Sequence, residues 1–331
     1  MFIRRTPAIQ NAPNSISSLE SMTIGGVEQW LLLRGWDQSK PILLWVHGGP
    51  GAAQISYIRQ FTRELEKEYL VVNWDQRGTG LSFSKNIPND SMTLNQMVED
   101  LVEIVRKLCL RFSKEKVYIL GHSFGAILSF LATSRHPELF YGFFAVSPVI
   151  SWTENDRVSY EFILKKSQEI GNEKAYAELK RIGPPPWNKL CFDWILTKWL
   201  QEFEVGLVHN GKLAGLLFKP ILKSTEYRLF DFIRWMRGKF FSTSLLKEEL
   251  ACFDLFKSNK NLQVPIAFCC GRHDFTTPSV LAEAFFKDLQ APVKKWVWFE
   301  KSAHSPMFEE SEAFNRFILD TANEWSREVN T

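Results

Sequence analysis

Short apolar runs alternate with helix-spaced apolar residues along the first 150 positions of the chain. Two stretches on either side of Gly25 and Gly26 predict a β-hairpin, over residues 16–24 and 27–34. Apolar runs predict further strands at 41–46, 70–74, 117–120 and 143–146, and helical spacing predicts helices over 53–68, 93–112 and up to about 135. Because consecutive parallel strands need a helical crossover, this order predicts a mostly parallel sheet with helices on both faces.

The alternation stops between residues 151 and 250, which hold irregular helical patches rich in Trp. It resumes with a predicted strand at 264–270, a helix from Pro278, a strand at 295–299 and a helix from about 306 to 325. We therefore predict one α/β core formed by residues 1–150 and 251–331, with an inserted helical cap at 151–250. The tryptophans of the cap suit an apolar pocket or the cap's own core: Trp152, Trp187, Trp194, Trp199 and Trp235.

Composition is that of a folded globular protein, with 45% hydrophobic and 23% charged residues and a net charge of +3. This charge is too small to indicate a nucleic-acid partner. The five cysteines form no C-x-x-C or zinc pattern, and no apolar leader is visible, so a reduced, cytoplasmic protein is expected. The longest uncharged window, 117–134, is better explained by a strand, turn and helix than by a membrane span. No cofactor, metal or membrane partner is expected.

Gly121-His-Ser-Phe-Gly125 matches G-x-S-x-G between a predicted strand and a predicted helix. In this context the serine sits on a strained turn whose glycines let strand and helix approach each other. Ser123 would then project above the sheet at the N-terminus of a helix, where developing negative charge is favoured. Ser123 is the predicted nucleophile, and a serine rather than an aspartate here favours acyl transfer.

A serine nucleophile needs a general base and an acid that orients it, and in this context they follow in the order Ser, Asp or Glu, His. Asp274 and His304 each follow a predicted strand, where sites of parallel sheets gather. We predict Asp274 as the orienting acid and His304 as the base. The other histidines lack this placement: His47, His122, His136, His209 and His273.

His47-Gly-Gly-Pro-Gly51 follows the predicted strand at 41–46, at the position from which such folds supply an oxyanion-hole N–H. Glycines at this point let the backbone approach a substrate. We predict that the N–H groups of Gly49 and of Phe124, the residue after the nucleophile, form the oxyanion hole.

These motifs together resemble the α/β-hydrolase superfamily and, within it, the proline iminopeptidase (prolyl aminopeptidase) group. The resemblance rests on HGGPG at 47–51, DQRGTGLS at 75–82, GHSFG at 121–125, GRHD at 271–274 and SAHSP at 302–306. It implies a helical cap over the site, a Ser123/Asp274/His304 triad and release of an N-terminal residue, often proline, from peptides. The group binds the substrate's free amine with cap carboxylates, and no local motif here selects among the candidates Glu202, Glu204, Glu226 and Asp231.

The sequence therefore predicts a cofactor-free serine hydrolase that works through an acyl-enzyme on a short peptide or small molecule, first as an aminopeptidase. The alternative is an esterase, lactonase or thioesterase acting on a small apolar acyl substrate. A third hypothesis, a non-catalytic ligand receptor, is disfavoured by the complete triad. Because a buried amine needs a charged partner, an acidic cap pocket would favour the peptidase and an apolar one the esterase. The oligomeric state stays open.

Overall fold

The computed structural model describes residues 4–187, 190–209, 221, 223–258 and 260–328, and of residues 190–192 it describes the backbone alone. Eight strands form one sheet in the order β1-β2-β4-β3-β5-β6-β7-β8. Their bounds are Ile16–Ile24, Val27–Gly35, Ile42–Val46, Leu70–Asp75, Val117–His122, Phe140–Val146, Ile266–Gly271 and Lys294–Phe299, for β1 to β8. The β1–β2 and β2–β4 pairs are antiparallel and the other five pairs are parallel, so the predicted mostly parallel sheet is confirmed.

Helices cover both faces of this sheet. Within the described residues they are α1 Leu65–Glu68, α2 Leu94–Phe112, α3 Phe124–Arg135, α4 Trp152–Glu169, α5 Glu173–Ile182, α6 Leu190–Glu202, α7 Leu229–Ala251, α8 Ser279–Asp288, α9 Pro306–Glu309 and α10 Ser311–Glu328. Two large apolar clusters fill the spaces between sheet and helices. Residues such as Phe143 and Phe144 point to opposite faces, as the period-two geometry of a strand requires.

The first hairpin forms as predicted, with Ile24 paired to Val27 and positive φ angles at both Gly25 and Gly26. Helix α2 also begins where predicted, because the Thr93 side chain accepts a hydrogen bond from the Gln96 N–H at 3.1 Å. The prediction of a helix over 53–68 is wrong for most of its length.

Residues 53–68 contain only a 3-10 turn at Ile58–Gln60 and the single turn α1. The segment is fixed from two sides instead. The Gln54 side chain accepts from Trp45 Nε1 in the sheet, and the Ala53 carbonyl accepts from Trp235 Nε1 in the cap, both at 2.9 Å. The apolar spacing that suggested a helix reflects burial of Ile55, Ile58 and Leu65 along an irregular path. The predicted final helix is divided into α9 and α10.

Helices α4 to α7 lie between β6 and β7, in the segment that the sequence analysis assigned to the cap, with α4 beginning at Trp152 and α7 ending at Ala251. The cap has its own apolar cluster, which includes Trp187 and Trp199. Trp194 is 69% exposed and lies outside that cluster. Two of the cap tryptophans therefore serve as its core.

The residues 75–82 have a structural role at the junction of hairpin, sheet and cap. Arg77 is buried and makes a two-pronged ion pair with Asp100 on α2, with Nε–Oδ2 2.7 Å and Nη2–Oδ1 2.8 Å. Its guanidinium also donates to the carbonyl of Gly25 in the hairpin.

The buried Asp75 carboxylate accepts from the Leu81 N–H and from the hydroxyl of Tyr227 in the cap. Burial raises the pKa of Asp75 to about 7.

Cys269 and Cys270 lie buried in β7 as free thiols, and the side chain of Cys191 lies outside the described residues. Across the described part of the chain, no helix combines the length and the apolar character that crossing a membrane would need.

Candidate active site

Ser123 occupies a sharp turn between β5 and α3, with φ 55° and ψ −119°. A residue with a side chain rarely adopts a positive φ, so the surrounding structure must hold this conformation. The Ser123 N–H donates to the Val146 carbonyl at the end of the neighbouring strand, at 2.9 Å. A Cβ at Gly125 would overlap the carbonyl oxygens of Val46 and His47, and one at Gly121 would lie 2.7 Å from Gly125 O. Both predicted glycines thus permit the close approach of strand and helix.

His304 and Asp274 lie together at the carboxyl ends of β8 and β7, where the sequence placed them. His304 Nδ1 is 2.9 Å from Asp274 Oδ2, and both side chains are buried. The other oxygen, Asp274 Oδ1, accepts from the N–H groups of Thr276 and Thr277, each at 2.9 Å. These backbone bonds hold the carboxylate in place, and the carboxylate fixes the imidazole ring so that Nε2 is the nitrogen left for chemistry.

Two further side chains position this pair, and the sequence analysis gave neither of them that role. Thr277 Oγ1 lies 2.8 Å from Asp274 Oδ2 and 3.1 Å from His304 Nδ1, so its hydroxyl touches both members of the pair. His122 Nε2 lies 3.0 Å from the carbonyl oxygen of His304. Because His122 directly precedes Ser123, this contact brings the His304 backbone to the nucleophile turn. Burial lowers the pKa of His122 well below its usual range, so its ring is neutral.

The 47–51 loop lies against the nucleophile. A Cβ at Gly48 would be 2.9 Å from the Cβ of Ser123, and Gly49 has a φ of 127° that favours glycine. In the part of the chain that the structure describes, the N–H groups of Gly49 and Phe124 donate to no protein acceptor. His47 is structural, because its Nε2 accepts from the Gln76 N–H and its burial lowers its pKa to about 4.

The cap reaches both loops that carry the base and its acid. The Val205 carbonyl accepts from the Phe275 N–H at 2.9 Å, and the Gly206 carbonyl accepts from the His304 N–H at 3.2 Å. This segment closes over the site, and Ser123 is only 7% exposed. Glu204 lies in the same turn, with φ 59° and an exposed side chain.

The other two candidate amine-binding carboxylates are already paired with arginines. Glu226 Oε1 accepts from Arg59 Nε at 2.8 Å, and the Glu226 side chain is 1% exposed. Asp231 Oδ2 accepts from Arg4 Nε at 2.9 Å and from the Arg228 N–H at 2.8 Å. The predicted carboxylates therefore do not converge: two neutralise arginines and one faces solvent. Glu202, named in the sequence analysis as a further possibility, is also exposed.

Asp156 on α4 is a cap carboxylate that the sequence gave no reason to select. It makes no hydrogen bond or ion pair with any residue that the structure describes, and burial raises its pKa to about 7. The charges that act on it belong to Asp193 on α6 and Lys247 on α7, so it lies among three cap helices. Its neighbour Asn155 donates to the carbonyl of Thr276 at 2.6 Å, which places this turn of α4 beside the Asp274 loop.

Known proteins of similar sequence are named as peptidases. The chain is 35% identical over 304 residues to "Probable aminopeptidase YbaC" of Bacillus subtilis strain 168, which covers 91% of this chain and 94% of that protein. It is 26% identical over 296 residues to a proline iminopeptidase of Heyndrickxia coagulans, covering 86% of this chain and 90% of that protein.

Solved structures share the fold at low sequence identity. The proline iminopeptidase of Mycobacterium smegmatis superposes with a TM-score of 0.60 at 16% identity, over 94% of this chain and 100% of that one. Residues 37–311 match the family model described as serine aminopeptidase, S33. The chain therefore belongs to the serine aminopeptidase S33 family of α/β hydrolases.

Proposed function

We propose that this protein is a serine hydrolase that works through an acyl-enzyme, with Ser123, His304 and Asp274 as its catalytic triad. The observation that carries the proposal is the buried 2.9 Å contact between His304 and Asp274, joined through His122 to the strained turn at Ser123. A strained serine and an imidazole oriented by a carboxylate are the groups that nucleophilic acyl transfer requires.

In the proposed reaction, His304 Nε2 takes the hydroxyl proton as Ser123 Oγ attacks the substrate carbonyl. The oxyanion that forms accepts hydrogen bonds from the N–H groups of Gly49 and Phe124. The tetrahedral intermediate collapses, His304 gives its proton to the leaving group, and the acyl group stays on Ser123. His304 then takes a proton from water as the water oxygen attacks the acyl-enzyme carbonyl, and it returns that proton to Ser123 Oγ as the bond to the serine breaks and the acid leaves. Asp274 stabilises the imidazolium in each half of the cycle.

We further propose that the substrate is a short peptide with a free N-terminal residue, such as proline. A buried ammonium needs a carboxylate partner. The ion pairs of Glu226 and Asp231 leave those two carboxylates without free charge, and Glu204 is solvated. Asp156 is a partly buried cap carboxylate that has no described hydrogen-bond or ion-pair partner, so we propose it as the group that binds the amine.

Because arginines already neutralise Glu226 and Asp231, the cap also suits a second candidate, an esterase or related hydrolase of small apolar acyl groups. A rat monoglyceride lipase is 29% identical to the chain over 151 residues, covering 44% of this chain and 47% of that protein. An ester substrate carries no ammonium group, so Asp156 would have no effect on its turnover.

One experiment separates the two candidates. Proline p-nitroanilide and short p-nitrophenyl esters are assayed with the wild type and with Ser123→Ala, Asp156→Asn and Glu204→Gln. The peptidase predicts anilide turnover that Ser123→Ala abolishes and a KM that rises about tenfold in Asp156→Asn, with ester turnover kept in that variant. Glu204→Gln is the matched carboxylate control and should leave both substrates unchanged.

Turnover of esters alone would support the second candidate and set aside the peptidase. If the KM for the anilide rises in Glu204→Gln but not in Asp156→Asn, the substrate amine binds at the exposed turn of Glu204 instead. If Ser123→Ala keeps the activity of the wild type, the proposed mechanism is wrong.

A further inference from the structure

The N-terminal half of α7 exposes a row of large apolar side chains. Five of the ten large hydrophobic residues that are well exposed in the described part of the chain lie between residues 229 and 240. Their exposed fractions are 80% for Leu229, 76% for Phe230, 49% for Ile233, 67% for Met236 and 59% for Phe240. At 3.6 residues per turn, four of them (229, 233, 236 and 240) fall within about 60° of one another around the helix. We call these five residues the α7 stripe.

The stripe is exposed although the same helix half also has apolar residues against the protein. On the protein-facing side, buried Asp231 and Gly238 lie beside Phe232 and Trp235, which are partly buried against the core. A Cβ at Gly238 would lie 2.8 Å from the carbonyl of Gly78, so this side is in close contact with the core. A helix normally buries its apolar side. A contiguous exposed apolar patch is typical of an interaction site in soluble proteins.

Basic residues border the stripe. Arg237 and Lys239 are exposed, and Lys223 lies exposed just before the helix. The acidic residue of this helix half, Asp231, is buried and paired with Arg4 and Arg234. Within the described residues, none of the three cations Lys223, Arg237 and Lys239 forms an ion pair. Lys239 is exposed as a whole residue, but its ammonium lies 5.6 Å from the ring centre of Trp235, and partial burial there lowers its pKa.

We propose that the α7 stripe docks on an anionic membrane surface, with its apolar side chains inserted at the level of the headgroups. An apolar row between cations is the pattern of a helix that lies in the plane of a membrane interface. Lys and Arg beside such a row place their ammonium and guanidinium groups among anionic headgroups. This docking needs no helix that spans the bilayer, and it is an alternative to the expectation from sequence of no membrane partner.

Charge also decides against a second copy of the chain as the occupant. A symmetric dimer through this surface would bury the cations of both copies in one interface. Like charges at an interface weaken association, whereas an anionic surface attracts them. The same helix anchors the active-site loop, since Trp235 Nε1 donates to Ala53 O and a Cβ at Gly51 would lie 2.6 Å from Lys239 Cα. The stripe thus lies on the outer side of a wall of the proposed site.

The test is co-sedimentation of the full chain with sucrose-loaded vesicles of phosphatidylcholine, with and without phosphatidylglycerol. We expect binding to the vesicles that contain phosphatidylglycerol and a decline when the salt concentration is raised. Phe230→Ser/Met236→Ser should weaken this binding at least about tenfold, because it removes two inserted side chains. Arg237→Gln/Lys239→Gln should weaken it by about the same factor.

The matched control is Leu110→Ser/Val280→Ser, which removes two equally exposed apolar side chains, 85% and 59%, from the core. It should bind vesicles as the wild type does. All variants are checked for an unchanged thermal unfolding midpoint. The readout is sedimentation, so it does not depend on the proposed hydrolase activity and fails or succeeds separately from it.

Three results would overturn the proposal. The first is absence of sedimentation with either vesicle. The second is equal loss of binding in the stripe and control variants. The third is a concentration-dependent dimer, measured by light scattering, that disappears in Phe230→Ser/Met236→Ser while vesicles bind nothing, which would make a second copy the occupant.

Discussion

The α/β core and the helical cap hold their carboxylates by different kinds of contact. Asp274 in the core is held by the N–H groups of Thr276 and Thr277, two and three residues away. Glu226 and Asp231 in the cap also accept from nearby backbone N–H groups, but their charges are paired with arginines 167 and 227 residues away in the chain. A short motif can therefore specify the site in the core, whereas the state of a cap carboxylate depends on distant parts of the sequence.

The largest effect expected from this contrast is in Asp274→Asn. An amide at this position would hold the wrong tautomer of His304, and we expect kcat/KM to fall about 10⁴-fold with the fold unchanged. Asp254→Asn is the matched control, because Asp254 also caps a helical turn, through the Phe256 N–H at 2.9 Å. Retention of activity within tenfold in Asp274→Asn would contradict the role of the core site.

Gly125→Ala should destabilise the core by about 4 kcal/mol, because its methyl group would overlap two backbone carbonyls of the neighbouring strand. Gly171→Ala in the cap is the comparison, since it has a φ of 68° and no atom within 4 Å of a new Cβ. That variant should lose about 1 kcal/mol, the cost of the left-handed conformation alone. Urea unfolding measures both, and equal losses would show that the close approach at Gly125 is not what holds the elbow.

Asp75 connects the two regions through Tyr227 and should make stability depend on pH. Its pKa is about 7 in the folded protein against an ordinary value of 3.8, so the folded chain keeps a proton that the unfolded chain has lost. Stability should therefore fall as the pH rises from about 4 to about 7, by on the order of 3 kcal/mol. Asp75→Asn should flatten this curve, and parallel curves for the two proteins would refute the assignment.

Glu226→Gln tests the long-range pairing of the cap. It leaves the Arg59 guanidinium without its charge partner in a largely buried place, and we expect a loss of about 2 kcal/mol in the free energy of unfolding. Glu178→Gln, which breaks the more exposed pair with Lys198, should cost less than about 1 kcal/mol. A rise in KM for the proline anilide in Glu226→Gln, without loss of stability, would instead assign Glu226 to the substrate amine.

The smallest effect is expected at Thr277, which positions the base and its acid without touching substrate. Thr277→Val removes the hydroxyl between His304 and Asp274, and kcat/KM should fall about tenfold. Thr277→Ser keeps the hydroxyl and should restore activity, which a role in packing alone would not. Equal activity in the two variants would remove Thr277 from the site.

The sequence predicted much of the core because local chemistry decides it. Apolar runs that are buried on both faces become parallel strands, and the glycines of the Ser123 turn are required by contacts within a few residues. The expectation of a helical cap over the site came from the resemblance to a known family. The error at 53–68 has a physical cause, because Ile55, Ile58 and Leu65 are buried by the sheet below and the cap above rather than by a helix of their own.

The cap resisted prediction for the opposite reason. Nothing near Glu226 in the chain shows that Arg59 neutralises it, and nothing near Asp156 shows that it lies among three helices. The sequence around Thr277 indicated a different role, because threonines before Pro278 are typical of a helix start. The pairing of Glu226 and the surroundings of Asp156 depend on which distant segments of the chain come into contact. A single sequence without its fold does not carry that information.

The central claim is that Ser123 is an activated nucleophile, and covalent labelling tests it most directly. The folded wild type and Ser123→Ala are treated with a fluorophosphonate, and the intact masses of the two proteins are measured. The account predicts one adduct on the wild type, located at Ser123, and none on the variant. A folded wild type that stays unlabelled, or a variant that is labelled as fast as the wild type, would contradict it.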